Sequence, residues 1–154
     1  GDWGDILRQQ VSQLGLEQTV NFLGVVSPAE LKVALSAADI FVLATRNEGW
    51  ANVFLEAMAC GLPVITTDVG GNAEVVNKPE LGTLVPFEDQ QALEQSLTEA
   101  LRKSWDRDAI VTHAQANSWD HRVAVLLEEF RRLCAPSTDT EAACMHQEKS
   151  RLID

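Results

Sequence analysis

The strongest constraint on the fold is an alternation of short patterns. Residues 40–43 (Ile-Phe-Val-Leu) and 64–66 (Val-Ile-Thr) are apolar runs of strand length. Between them lies a stretch with helix start and stop signals. Asn52 is expected to cap that helix, since its side chain can accept from a first-turn amide. Gly61 suits the left-handed position past a helix end, and Pro63 forbids continuation. Strand, loop, short helix, strand is the sequence form of a parallel α/β unit, because the connection is too long for a hairpin. In such sheets ligands sit where strand C-terminal ends meet helix N-termini. The unpaired amides near residues 51–54 favour an anion there.

The same alternation runs along the chain. Leu7, Val11 and Leu14 fall at helical spacing, with Gly15 as the stop. Residues 20–24 (Val-Asn-Phe-Leu-Gly) alternate like a short strand. Ser27, Pro28 and Glu30 spell a capping box that opens a second helix, with Leu31, Ala34, Leu35 and Ala38 as its apolar stripe. A short helix is expected at 73–76 and a further strand at 82–85. Asp89 caps a helix whose Leu93, Leu97, Ala100 and Leu101 share a face. A weaker helix covers 107–116. Ser118 caps the last, with Val123, Leu126, Leu127, Phe130 and Leu133 as its stripe. This predicts an α/β fold with a Rossmann-like parallel sheet of about four short strands and flanking helices. Residues 135–154 lack such a face and are expected to form a polar mobile tail with at most a short helical turn near 141–148.

Glu48 lies on the loop before the central helix, and Glu56 lies about one turn inside it. A carboxylate beside an anion site suits sugar hydroxyls better than phosphate, because it can only accept hydrogen bonds. Amides for a phosphate, flanked by two acceptors for hydroxyls, describe a nucleotide-sugar pocket. The alternative is a solvated loop residue and a partner for the helix dipole. Trp50 either walls such a pocket or anchors the loop by packing. Gly70 and Gly71 either admit a ligand closely or permit a turn.

Composition narrows the partners. The chain carries 23 acidic and 12 basic residues, a net charge of −11, which argues against a general nucleic-acid or anionic-membrane surface. At 154 residues and 45% apolar content it suits one domain with a real core. Cys60, Cys134 and Cys144 have no metal-ligand spacing and suggest a reducing compartment. His113, His121 and His146 share no ligand spacing, so surface or capping roles are expected and no metal is implied. No apolar run reaches the roughly 20 residues that span a bilayer, and there is no signal-peptide pattern. The start, Gly-Asp-Trp-Gly-Asp, looks like a cut inside a longer protein.

Residues 47–76, from Asn-Glu-Gly-Trp-Ala-Asn-Val-Phe-Leu-Glu through Gly-Leu-Pro-Val-Ile-Thr-Thr-Asp-Val-Gly-Gly-Asn, closely resemble the donor-domain signature of family 4 retaining glycosyltransferases. The hallmark is Glu, seven residues, Glu, matched by Glu48 and Glu56. The likeness extends over residues 1–134, including Ser118-Trp119-Asp120 in the closing helix. It implies an incomplete C-terminal half of a GT-B fold, in which two Rossmann-like domains face a cleft. It also implies that Glu48 binds hydroxyls of the donor sugar and Glu56 accepts from the ribose. Backbone amides of Gly49, Trp50, Ala51, Asn52, Val53 and Phe54 would meet the sugar and diphosphate, and the loop at Gly24 and Val25 would lie by the base.

The implied substrate is a UDP- or GDP-type sugar with no cofactor, and the acceptor a sugar or lipid-linked glycan bound through an N-terminal domain outside this chain. The implied location is cytoplasmic, with peripheral membrane contact through that domain as a variant. The family's basic Arg and Lys pair belongs before residue 1, and Arg46 does not occupy its motif position. Two alternatives stay open: a non-catalytic fragment or interaction module that keeps the fold, and another GT-B enzyme such as a nucleotide-sugar epimerase.

Overall fold

The computed structural model describes residues 3–134, so the expectations for residues 135–154 lie outside it. Within the stretch expected as one domain, the chain divides into two compact units, Gly1–Ala38 and Asp39–Asp154.

The first unit holds α1 (Gly4–Gln13) and α2 (Pro28–Ser36). The capping box of α2 forms as spelled. The Glu30 amide donates to Ser27 Oγ at 3.3 Å, and the Ser27 amide donates to Glu30 Oε2 at 2.7 Å. Leu35 is buried and Leu31, Ala34 and Ala38 are half-buried, as the stripe requires. Residues 20–24 are not a strand. The Val20 amide turns back to the Leu16 carbonyl, and no described strand pairs with the segment. Alternation supplies a face, but a strand also needs a neighbouring edge for its backbone groups.

The second unit contains β1 (Phe41–Leu43), α3 (Asn52–Ala59), β2 (Val64–Thr67), α4 (Asn72–Val75), β3 (Gly82–Val85), α5 (Gln90–Arg102), α6 (Arg107–Ala116) and α7 (Trp119–Cys134). The sheet therefore has three strands among the described residues rather than about four. They run parallel in the order β1-β2-β3, with Val42 opposite Ile65 and Ile65 opposite Thr83. Central β2 is buried at all four positions, as expected of a parallel strand covered on both faces. On one side Ile65, Val85 and Ala100 form a core joined by Ile40, Leu93, Leu97 and Trp105. Leu101, expected on this face of α5, is exposed, because one residue past Ala100 points about 100° around the helix.

Helix α3 packs against β2 and α6. Its buried residues, Phe54, Ala57 and Met58, recur at three- and four-residue spacing. Phe54 meets Phe41 edge-on, with ring centroids 6.1 Å apart. The helix ends in a Schellman motif: the Gly61 amide donates to the Met58 carbonyl and the Leu62 amide to the Ala57 carbonyl. Gly61 takes a positive φ of 77°, as its position in the sequence anticipates. The stripe on α7 forms, but Val123, Leu126, Leu127, Phe130 and Leu133 are all exposed.

Candidate functional site

The site is built where β1 leaves the sheet and α3 begins. Residues 44–51 form the connecting loop, and its path is set by what it touches. Two glycines admit it closely. A Cβ at Gly70 would overlap the Glu48 carbonyl, and one at Gly71 would overlap that of Gly49. The Gly71 amide donates to the Glu48 carbonyl at 3.4 Å. The glycine pair thus accommodates the backbone of the loop itself.

Trp50 is half-buried, and the guanidinium of Arg122 lies over its ring at 4.1 Å from the centroid. Its indole N–H is buried with no partner among the described residues. These contacts fit the anchoring role: the ring fastens the loop to α7. Arg122 was invisible in the sequence, since a stacking partner 72 positions away leaves no local pattern.

Helix α3 starts one residue from the expected place. Ala51, buried and extended at φ −84° and ψ 94°, occupies the N-cap position, with no side-chain cap. Asn52 is the first helical residue, and its side chain does not cap. The Ala51 carbonyl accepts from the Phe54 amide at 3.0 Å. That leaves the first-turn amides of Asn52 and Val53 without an acceptor among the described residues. An uncapped helix start at the C-terminal end of a parallel strand attracts an anion through its free N–H groups and dipole. Phe54 contributes core packing, since its side chain is fully buried and its amide is engaged.

Glu56 is exposed, one turn into α3. It lines a cavity of about 370 Å³ together with Asn52, Asn117, Ser118, Trp119 and Arg122. Glu48, half-buried on the docked loop, is not part of that lining. The two carboxylates therefore bracket the helix start without sharing one cavity. Gly49 is exposed and Val53 half-buried. Gly24 and Val25 belong to the first unit, where Gly24 has a positive φ of 70° and Val25 is fully exposed.

Sequence reasoning also passed over Thr66, Thr67 and Asn72, the buried polar residues of the described core. No capping or spacing pattern singles out Asn72 in the sequence. Its place directly after the glycine pair was the one available signal. His113, expected at the surface or as a cap, is half-buried; it hydrogen-bonds the backbone of Val75 at the end of α4, and its Nε2 has no partner among the described residues. No three or more His, Cys, Asp or Glu side chains gather as a metal site among the described residues. No described helix is long and apolar enough to cross a membrane.

Comparison with known proteins agrees with this architecture. The family model for glycosyl transferases group 1 matches residues 1–117. D-inositol 3-phosphate glycosyltransferase of Corynebacterium urealyticum is 34% identical over 131 residues, covering 82% of this chain and 31% of that protein. Sucrose-phosphate synthase of Thermosynechococcus elongatus superimposes with a TM-score of 0.73 at 30% identity, over 89% of this chain and 36% of that one. HepE of Anabaena, solved in complex with UDP, gives a TM-score of 0.67 at 28% identity, over 83% and 37%. The chain thus spans about a third of the length of the relatives it matches. With the signature in place and the α/β fold shared with GT-B glycosyltransferases, the chain belongs to the glycosyl transferases group 1 family.

Proposed function

We propose that this chain is the donor-binding part of a retaining glycosyltransferase, which moves a sugar from a nucleotide-diphosphate donor to an acceptor hydroxyl. The observation that carries the proposal is the uncapped start of α3, with two first-turn amides that have no acceptor among the described residues and a glutamate on either side. The amides of Asn52 and Val53, with those of the loop from Gly49, meet the diphosphate and sugar. Glu48 accepts from sugar hydroxyls, and Glu56 accepts from the ribose diol. The UDP bound by the structural relative HepE supports a donor of this class.

The chemistry follows from charge. As the glycosidic bond breaks, the leaving diphosphate gains negative charge. Fixed amides aimed at that charge stabilise the transition state more than the ground state. Glu48 and Glu56 contribute by orienting the donor. They are not cast as the paired acid and nucleophile of a glycosidase.

The test is calorimetry of a protein carrying this chain at the full length of its relatives, against a panel of UDP- and GDP-sugars. One donor should bind, and Glu56→Ala should weaken it by about tenfold or more, the usual loss for a hydrogen bond to a charged group. Unchanged affinity removes Glu56 from the site.

A further inference from the structure

The three buried polar residues form one network. Thr66 and Asn72 have no solvent exposure, and Thr67 has 4%. Thr66 Oγ1 donates to the Leu43 carbonyl at 2.7 Å. Thr67 Oγ1 donates to the Thr45 carbonyl. The Asn72 amide nitrogen donates to Thr66 Oγ1 at 3.1 Å and to the Thr67 carbonyl at 2.8 Å. Thr45 carries the chain of bonds forward: its Oγ1 accepts from the Asn47 amide at 3.3 Å and donates to the Asn47 carbonyl at 3.4 Å. One residue on, the Glu48 carbonyl accepts from Gly71.

Filling the core does not require these hydroxyls. Valine has nearly the volume of threonine, and β2 already uses valine and isoleucine at its other two positions. Burying a polar group costs free energy unless it is bonded, so each hydroxyl here is retained for its bond. Both hydroxyls reach carbonyls at the exit of β1, where the sheet ladder ends and the loop to Glu48 begins. The glycine pair beside Asn72 lets the Glu48 and Gly49 backbone dock on the same turn.

We infer that Thr67 and Asn72 are positioning residues for Glu48: they hold the loop at 44–49 in place from the β2–α4 turn before any ligand arrives. A loop fixed in advance keeps the ordering cost out of donor binding. The inference deepens the donor-site proposal by naming what orients its first carboxylate, but its primary test needs no donor.

That test is amide exchange measured by NMR on the 154-residue chain, with Thr67→Val and Thr67→Ser. The Gly71 amide, which donates to the Glu48 carbonyl, is the reporter. Thr67→Val should speed its exchange about five- to tenfold, the range expected for loss of one hydrogen bond. Amides of β2 and β3 should keep their wild-type rates, and Thr67→Ser should restore the reporter. Equal acceleration across the strands makes Thr67 a general fold element and overturns the inference, as does no change at Gly71. If Thr67→Val does not fold, Gly71→Ala serves instead: it should shift the Glu48 and Gly49 resonances while leaving those of the strands in place, and unmoved loop resonances count against the idea. In a protein of the relatives' full length, Thr67→Val should raise donor KM, with Thr67→Ser near wild type. A protein that binds no nucleotide sugar refutes the donor proposal and leaves the exchange result standing.

Discussion

Trp50 and His113 show how single residues acquire meaning from their surroundings. Both roles were open for Trp50 in the sequence. The Arg122 guanidinium over its ring favours fastening, an interaction of about 0.5–2 kcal/mol depending on desolvation. His113 has a pKa lowered from its ordinary 6.5, chiefly by burial and further by nearby Lys78, against a hydrogen bond with the Val75 backbone and the charge of Glu80. The unfolded chain therefore binds a proton at a pH where the folded chain does not. The stability linked to His113 is fully present above about pH 6.5 and is lost as pH falls through the folded value. Thermal melts between pH 7.5 and 5.5 should show this loss in the wild type and a smaller one in His113→Gln. An identical pH dependence in the two proteins would remove His113 as its source.

At the scale of elements, α3 does two jobs with opposite ends and faces. Its inner face, led by Phe54, fixes the helix to the sheet. Its uncapped start and the exposed Glu56 are the parts proposed to meet the donor. The two roles should separate by mutation. Phe54→Ala should cost about 3–5 kcal/mol in urea unfolding, the range for a large buried aromatic. A cost below about 1 kcal/mol would mean the helix is not held by that ring. Helix α7 makes a different point. Its apolar stripe was legible from spacing, yet five of its members stay exposed, including Phe130 at 58% and Leu133 at 70%. Periodicity reports which residues share a face; it does not report what covers the face.

For the molecule as a whole, size governs expectation. The chain spans about a third of the length of its relatives. About two thirds of those relatives' length has no counterpart in these residues. The isolated chain is accordingly expected to transfer no sugar. A radiolabelled-donor assay with purified residues 1–154 checks this, and turnover at a rate normal for such enzymes would overturn it. The acidic balance belongs to this scale as well. A net charge of −11 repels anions in general, so the phosphate recognition proposed above would have to be local.

The sequence by itself determined most of the elements and their order. Capping signals at Ser27, Asp89 and Ser118, the glycine stop at Gly61 and the apolar runs are local, and local signals act within a few residues of chain. It also determined the family, because the spacing of Glu48 and Glu56 in its helix-and-glycine context is written contiguously. Only the tertiary structure decided that residues 20–24 lack a strand partner, that Ala51 rather than Asn52 stands at the cap, that Arg122 lies on Trp50, and that Thr66, Thr67 and Asn72 tie down the loop of Glu48. Each of these depends on a hydrogen-bonding edge, a backbone torsion or a contact between residues far apart in sequence, and such pairings exist only once the chain has closed on itself.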